Sequence, residues 1–301
     1  MSRRVAAVDL GTNSTRLLVA DVDDGRLKEV ERLLAITRLG DGVDRSRGLA
    51  EPAVARVDAQ VGRYVDRARE LGAQTVLATA TSAVRDAANG GEFLAGLERR
   101  HGVRTRLLAG EDEARMTFHG VTSARPLSGE AVICDIGGGS TELIAGDPDG
   151  VNYAVSLDMG CVRMSERFLR ADPPTSEEIA ALRREAAEML PTDVPAGKLI
   201  GVAGTVTTLA TIDLGLDEEI PERVDGHRLG RVRVAAELER LAAMPLAERR
   251  GVRGLMPERA PTIVAGAAIL VELMERLGTD ALMVSERDIL HGAALSAAEL
   301  P

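Results

Sequence analysis

Two short loops carry the residue types that can grip phosphate. Asp9-Leu10-Gly11-Thr12-Asn13-Ser14-Thr15 and Asp135-Ile136-Gly137-Gly138-Gly139-Ser140-Thr141 align on Asp, Gly, Ser and Thr at a constant offset. Gly, Ser, Thr and Asn in a tight turn offer backbone N–H groups and short hydroxyls without bulk, which suits phosphate oxygens. One such loop is no more than a turn; a repeated one argues for function. Thr12, Asn13 and Ser14 in the first copy, and Gly138, Gly139, Ser140 and Thr141 in the second, are the expected phosphate contacts. Gly204-Thr205, with Thr207-Thr208, offers the same chemistry later in the chain.

Each loop opens with an aspartate at the end of an apolar run, where a bare carboxylate is costly to bury. A divalent cation is its natural partner, because magnesium takes one or two carboxylates plus substrate phosphates and water. Asp9, Asp135 and Glu142 are therefore the candidate metal ligands. The copies differ after the shared Ser-Thr: the first carries Arg16 and the second Glu142. The first loop thus reads as a phosphate clamp and the second as the metal side.

Between the copies lies Gly110-Glu111-Asp112-Glu113-Ala114-Arg115, at a strand-to-helix junction. Three acids in a first helical turn favour the helix dipole, yet ligands bind at this edge of α/β sheets. One of the acids could deprotonate an attacking water. Arg85, read at the start of a helix after the turn Thr79-Ala80-Thr81-Ser82, suits bidentate phosphate contact.

The elements that must position these residues follow from periodicity. Each loop joins two short apolar runs, as in a β-hairpin. Residues 53–72 read as an amphipathic helix, followed by a strand over 75–78. Thr175-Ser176-Glu177-Glu178 is a capping box opening a helix that Pro191 ends. A strand over 198–203 and a turn at Gly204-Thr205 precede another helix, and 226–275 reads as helical with breaks at Pro245, 251–254 and Pro257. Each half is a hairpin-led α/β unit. Residues 123–129 interrupt two periodic stretches and mark a boundary, giving domains over 1–125, joined by the C-terminal helix at about 287–301, and 126–286.

At 301 residues, with 45% hydrophobic and 28% charged residues, the chain has the make-up of a soluble globular protein with sizeable cores. A net charge of −10 argues against non-specific nucleic-acid binding. Neither Cys134 nor Cys161 has zinc-type neighbours, and the four histidines lack ligand spacing. No apolar run is long enough to span a membrane, so a cytoplasmic protein is expected. No nucleophile elbow or Walker loop appears, so covalent serine chemistry lacks support.

With these residues in place, the chain resembles the exopolyphosphatase/guanosine pentaphosphate phosphohydrolase family of the actin and sugar-kinase superfamily. The two loops, Ala80-Thr81-Ser82-Ala83-Val84-Arg85, Gly110–Arg115, Gly201-Val202-Ala203-Gly204-Thr205, and Ser285-Glu286-Arg287-Asp288 with Gly292 carry it. The resemblance implies two actin-like (ribonuclease H-like) α/β domains, related by duplication, with an interdomain cleft. It makes Glu113 the base that orients water, with Asp112 departing from the family's Glu-Glu-Ala-Arg. It puts the metal, Mg2+ or Mn2+, at Asp135 and Glu142, makes Arg85 a phosphate contact, and implies a homodimer. The extra C-terminal helical domains of long members are not in this sequence, which favours short chains.

The leading expectation is an exopolyphosphatase acting on terminal phosphoanhydride bonds. Hydrolysis of guanosine pentaphosphate to tetraphosphate is the alternative, disfavoured because no stacking aromatic lies near the loops. An ATP-dependent kinase and a non-catalytic phosphate or nucleotide sensor on the same fold are the remaining readings.

Overall fold

The structure, a computed structural model, describes residues 2–300. Residues 1 and 301, outer limits of the expected first domain, lie outside the described residues. Contacts divide the chain into two units: one runs to Pro126 and resumes at Arg287, and the other spans Leu127–Glu286.

In the first unit β1 (Arg3–Leu10), β2 (Ser14–Asp23) and β3 (Arg26–Ile36) form an antiparallel meander. After α1 (Val43–Ser46) and α2 (Glu51–Glu70), β4 (Thr75–Ala80) returns parallel to β1. Short α3 (Ser82–Arg85) and α4 (Gly90–His101) lead to β5 (Arg104–Leu107), parallel to β4, and then to α5 (Gly110–Thr122). The sheet order is β3-β2-β1-β4-β5.

The second unit repeats the meander with β6 (Ala131–Ile136), β7 (Thr141–Asp147) and β8 (Gly150–Leu157). Then α6 (Cys161–Phe168) and α7 (Ser176–Met189) precede β9 (Lys198–Val202), parallel to β6. There follow α8 (Ala203–Asp213), α9 (Pro221–Val224), β10 (Arg228–Gly230), α10 (Arg231–Ala242), α11 (Leu246–Arg249) and α12 (Ile263–Arg276). Finally β11 (Ala281–Val284) enters parallel to β9, and the order is β10-β11-β9-β6-β7-β8. The chain then returns as α13 (Ile289–Glu299), which belongs to the first unit.

A three-stranded meander continued by parallel strands thus occurs once in each unit. This is the actin-like α/β arrangement, and the repetition seen in the loops extends to strand order. β1 and β6 are buried almost throughout because helices cover both faces, so they read as continuous apolar runs rather than alternating ones. In the first unit Val57, Val61 and Val65 of α2 pack on one sheet face. Ile289, Leu290 and Ala293 of α13, with Met116 of α5, pack on the other. Gly120 and Gly292 let α5 and α13 cross closely: a Cβ on Gly292 would stand 2.0 Å from the Met116 carbonyl oxygen.

Four local expectations need correction. β4 runs on through Thr79 and Ala80, which pair with β5 instead of turning. Arg85 ends α3 rather than starting a helix. Ala203 takes a left-handed φ of 67°, so β9 passes straight into α8 and Gly204-Thr205 forms its first turn, not a loop. Residues 228–230 form a strand inside the stretch read as helical. The capping box at Thr175 and Glu178 is present as read.

Candidate functional site

In the first unit, β1, β4 and β5 run parallel and end on the same sheet edge. Leu10 pairs with Ala80, and Ala80 with Leu107. The Gly11–Asn13 loop, α3 and the start of α5 therefore share that edge, where α/β folds bind ligands.

The loop is braced through its carbonyls. Gly11 N–H donates to Ser14 O at 3.0 Å, closing the turn. Thr12 O accepts from Gly40 N–H at 2.8 Å, and Asn13 O accepts from the amides of Thr37 and Arg38. The amides of Thr12 and Asn13 donate to no protein acceptor among the described residues. Carbonyls turned inward and amides left over make an anion-binding concavity. Thr12 and Ser82 share a hydroxyl hydrogen bond of 2.9 Å, tying this loop to α3.

Arg85, at the end of α3, reaches α5. Its Nη1 donates to Glu113 Oε2 at 3.0 Å and to Leu108 O at 2.9 Å. Glu113 is 7% exposed. Its two acidic neighbours, Glu111 and Asp112, are exposed on the same first turn. The structure therefore singles out Glu113 as the buried acid of the trio.

Asp9 is buried and stands directly opposite Arg16 on the β1–β2 ladder. Arg16 donates to Asp9 Oδ2 through Nε at 2.9 Å and Nη2 at 2.7 Å. Burial pushes the Asp9 carboxyl above its usual range, against the pull of Arg16. Oδ1 of Asp9 makes no hydrogen bond. Arg16 thus supplies a counter-charge that the sequence argument had sought in a metal.

The second unit repeats the turn with a different brace. Gly137 N–H donates to Ser140 O at 3.0 Å. Three amides at the start of α6 then take the loop carbonyls: Cys161 binds Gly137 O, while Val162 and Arg163 bind Gly138 O. The Arg163 side chain, 5% exposed, donates from Nε to Gly139 O at 2.7 Å. Gly160 lies so close that a Cβ there would fall 2.3 Å from the Gly138 carbonyl. Gly138 and Gly139 amides donate to no protein acceptor among the described residues. Thr141 Oγ1 donates to Met159 O.

Asp135 and Glu142 are opposite each other on the β6–β7 ladder, the position that Asp9 and Arg16 hold in the first unit. They are 7% and 1% exposed, and Ser156 Oγ donates to Glu142 Oε1 at 2.7 Å. Directly opposed residues share a sheet face with Cβ atoms about 5 Å apart. A hard divalent cation completed by phosphate and water fits such a carboxylate pair. No group of three or more His, Cys, Asp or Glu arranged for a metal occurs among the described residues. β6 and β9 end together, with Asp135 opposite Val202, so α8 starts on this same edge. Gly204 there carries the Arg259 guanidinium against its backbone, and Arg259 Nη1 donates to Thr208 Oγ1 at 3.3 Å.

Sequence reasoning missed the loop braces Gly40, Gly160 and Arg163, and also Arg259. The turn glycines were visible, but what packs against them is set by tertiary contact. Cys134 is no nucleophile: burial pushes its thiol up to about 12.

Matched Gly/Ser/Thr loops, a buried Glu113 held by a half-buried Arg85, and a two-carboxylate hairpin on actin-like units suit a phosphate-transferring or phosphate-cleaving protein. The family model of the Ppx/GppA phosphatase family matches residues 18–300. The chain belongs to that family. It is 37% identical to Exopolyphosphatase 2 of Mycobacterium tuberculosis over 98% of both chains. It superposes on the crystal structure of an exopolyphosphatase-like protein with a TM-score of 0.92 at 33% identity, covering 98% and 97% of the chains. The Aquifex aeolicus family member follows with 0.83 at 30%, covering 99% and 98%. No helix among the described residues is long and apolar enough to cross a membrane.

Proposed function

We propose that this protein is an exopolyphosphatase that removes terminal phosphate from inorganic polyphosphate. The observation that carries this reading is Glu113, buried and held by Arg85 on the sheet edge that also bears the first phosphate loop. A water whose proton passes to Glu113 attacks the terminal phosphorus. The bridging P–O bond breaks, and the electron pair leaves with the shortened chain as a phosphate oxygen. In the first unit the amides of Thr12 and Asn13 with the Ser14 hydroxyl, and in the second the amides of Gly138 and Gly139 with the Ser140 hydroxyl, take phosphate oxygens. The Thr141 and Thr205 hydroxyls are spent on the carbonyls of Met159 and Ile136. Asp135 and Glu142, opposite each other in the second unit, would hold Mg2+ or Mn2+, which when bound offsets phosphate charge. The relatives named as exopolyphosphatases support the choice of substrate. The same reading includes a homodimer acting in the cytoplasm.

Phosphate release from tripolyphosphate, long-chain polyphosphate, guanosine pentaphosphate and ATP, measured side by side with and without Mg2+, tests it. Polyphosphate is expected to turn over fastest and only with the ion. Glu113→Gln should lower kcat by about 10²–10⁴-fold with the fold intact. A Glu113→Gln enzyme of near-normal turnover, or a preference for guanosine pentaphosphate, would overturn the reading.

A further inference from the structure

The Arg16 guanidinium has two anionic partners. Nε and Nη2 hold Asp9 Oδ2, while Nη1 donates to Asp288 Oδ2. Asp288 is also the N-cap of α13, where its Oδ1 accepts from Leu290 N–H at 3.0 Å. Beyond it, His291, fully buried, stands 3.6 Å from Asp288 Oδ1 through Nδ1 and 3.1 Å from Glu29 Oε1 through Nε2. A charged chain thus runs from the first phosphate loop through Arg16, Asp288 and His291 to Glu29 on β3, all within one unit.

We infer that Asp288 is a positioning residue for Asp9, acting through Arg16; this rests on the phosphate-cleaving reading above. A planar guanidinium prefers to meet a carboxylate with two parallel N–H···O bonds. Here it does not: both nitrogens on its Asp9 side meet a single oxygen, and Nη1 is drawn off to Asp288. Asp9 Oδ1 is left buried, without a hydrogen bond, at the base of the loop. It is the acceptor the first unit keeps for a bound cation or a substrate water. Without the Asp288 charge, the guanidinium turns to pair with both Asp9 oxygens, and Oδ1 is consumed. Ser, Thr or Asn would cap α13 as well as Asp does, but none would supply the charge that holds Arg16 off Oδ1.

Asp288→Asn separates the two roles, because asparagine keeps the cap and removes the charge. We expect the variant to fold with a lowered thermal midpoint, because Arg16 and His291 lose a buried counter-charge. Measured well below that midpoint, kcat on tripolyphosphate with Mg2+ should fall by about 10–10²-fold. In an Arg16→Gln background the same substitution should cost nothing further, since both changes act on one contact. A crystal structure of Asp288→Asn should show Arg16 paired with both oxygens of Asp9. Unchanged kcat, additive losses, or an unmoved Arg16 would each overturn the inference. If the wild type cleaves no phosphoanhydride, the functional reading falls by itself, and the Arg16 geometry in the variant still decides the positioning role.

Discussion

His291 illustrates how a buried ring is set by its neighbours. Burial alone would lower its pKa, but hydrogen bonds and attraction from Asp288 and Glu29 outweigh that and raise it above the ordinary value. Arg16, beyond Asp288, and Arg32 and Arg287, which face Glu29, are the cations of the neighbourhood. A raised histidine adds stability that is complete below its unfolded pKa of about 6.5 and is lost as pH rises through the folded value. Asp288 works in the opposite direction. Burial pushes its carboxyl up, yet Arg16 and His291 hold it below the usual range. Its stabilisation is present above about pH 3.9 and lost as pH falls through the folded value. The thermal midpoint should therefore decline as pH climbs past about 6.5, and His291→Gln should flatten that decline in a pH series of melting curves. A wild-type profile unaffected by His291→Gln would refute the assignment. At this scale, residue types were legible in the sequence and partnerships were not. The two loops announce themselves by composition, whereas Arg16 and Asp288 are 272 residues apart.

At the scale of elements, close backbone approach governs the second phosphate loop. The first turn of α6 can grip the carbonyls of Gly137 and Gly138 only because Gly160 lacks a Cβ. Gly160→Ala would put a methyl 2.3 Å from rigid backbone, so the loop or the helix must shift. Overpacking of this kind costs about 1–3 kcal/mol, and activity should fall with it because Gly138 and Gly139 move. A variant with native melting temperature and native turnover would show that the loop is not held this way. The elements themselves divide by how they are encoded. The hairpins, α2 and the α7 capping box were readable because period and cap chemistry are local. The start of α8 was not, since Ala203 adopts a left-handed backbone that its side chain does not advertise. β10, at three residues, is too short for a period to show.

For the whole molecule, the repeated loop foretold a repeated topology, because each copy leads the same run of antiparallel and then parallel strands. The paired positions after the loop had diverged, to Arg16 in one sheet and Glu142 in the other. Sequence could show that asymmetry, but not that Arg16 would reach the helix that closes the first unit. That helix, α13, fills one face of the first sheet with Ile289, Leu290, Ala293, Ala294 and Ala297. A chain stopped after Glu286 leaves Val5, Ala7, Leu18 and Ala20 uncovered on that face. Hydrogen exchange on such a chain should find amides of β1 and β2 exchanging fast while those of β6 and β9 stay protected. Equal protection in both sheets would show that α13 is dispensable. The discontinuity also fixes an order of events on the ribosome. Residues 127–286 emerge complete before α13 is made, a delay on the order of 10–30 s at about 5–20 residues per second. Throughout that interval the first sheet waits with an apolar face bare, so chaperone binding to nascent chains should concentrate on residues 3–22, although they are made first.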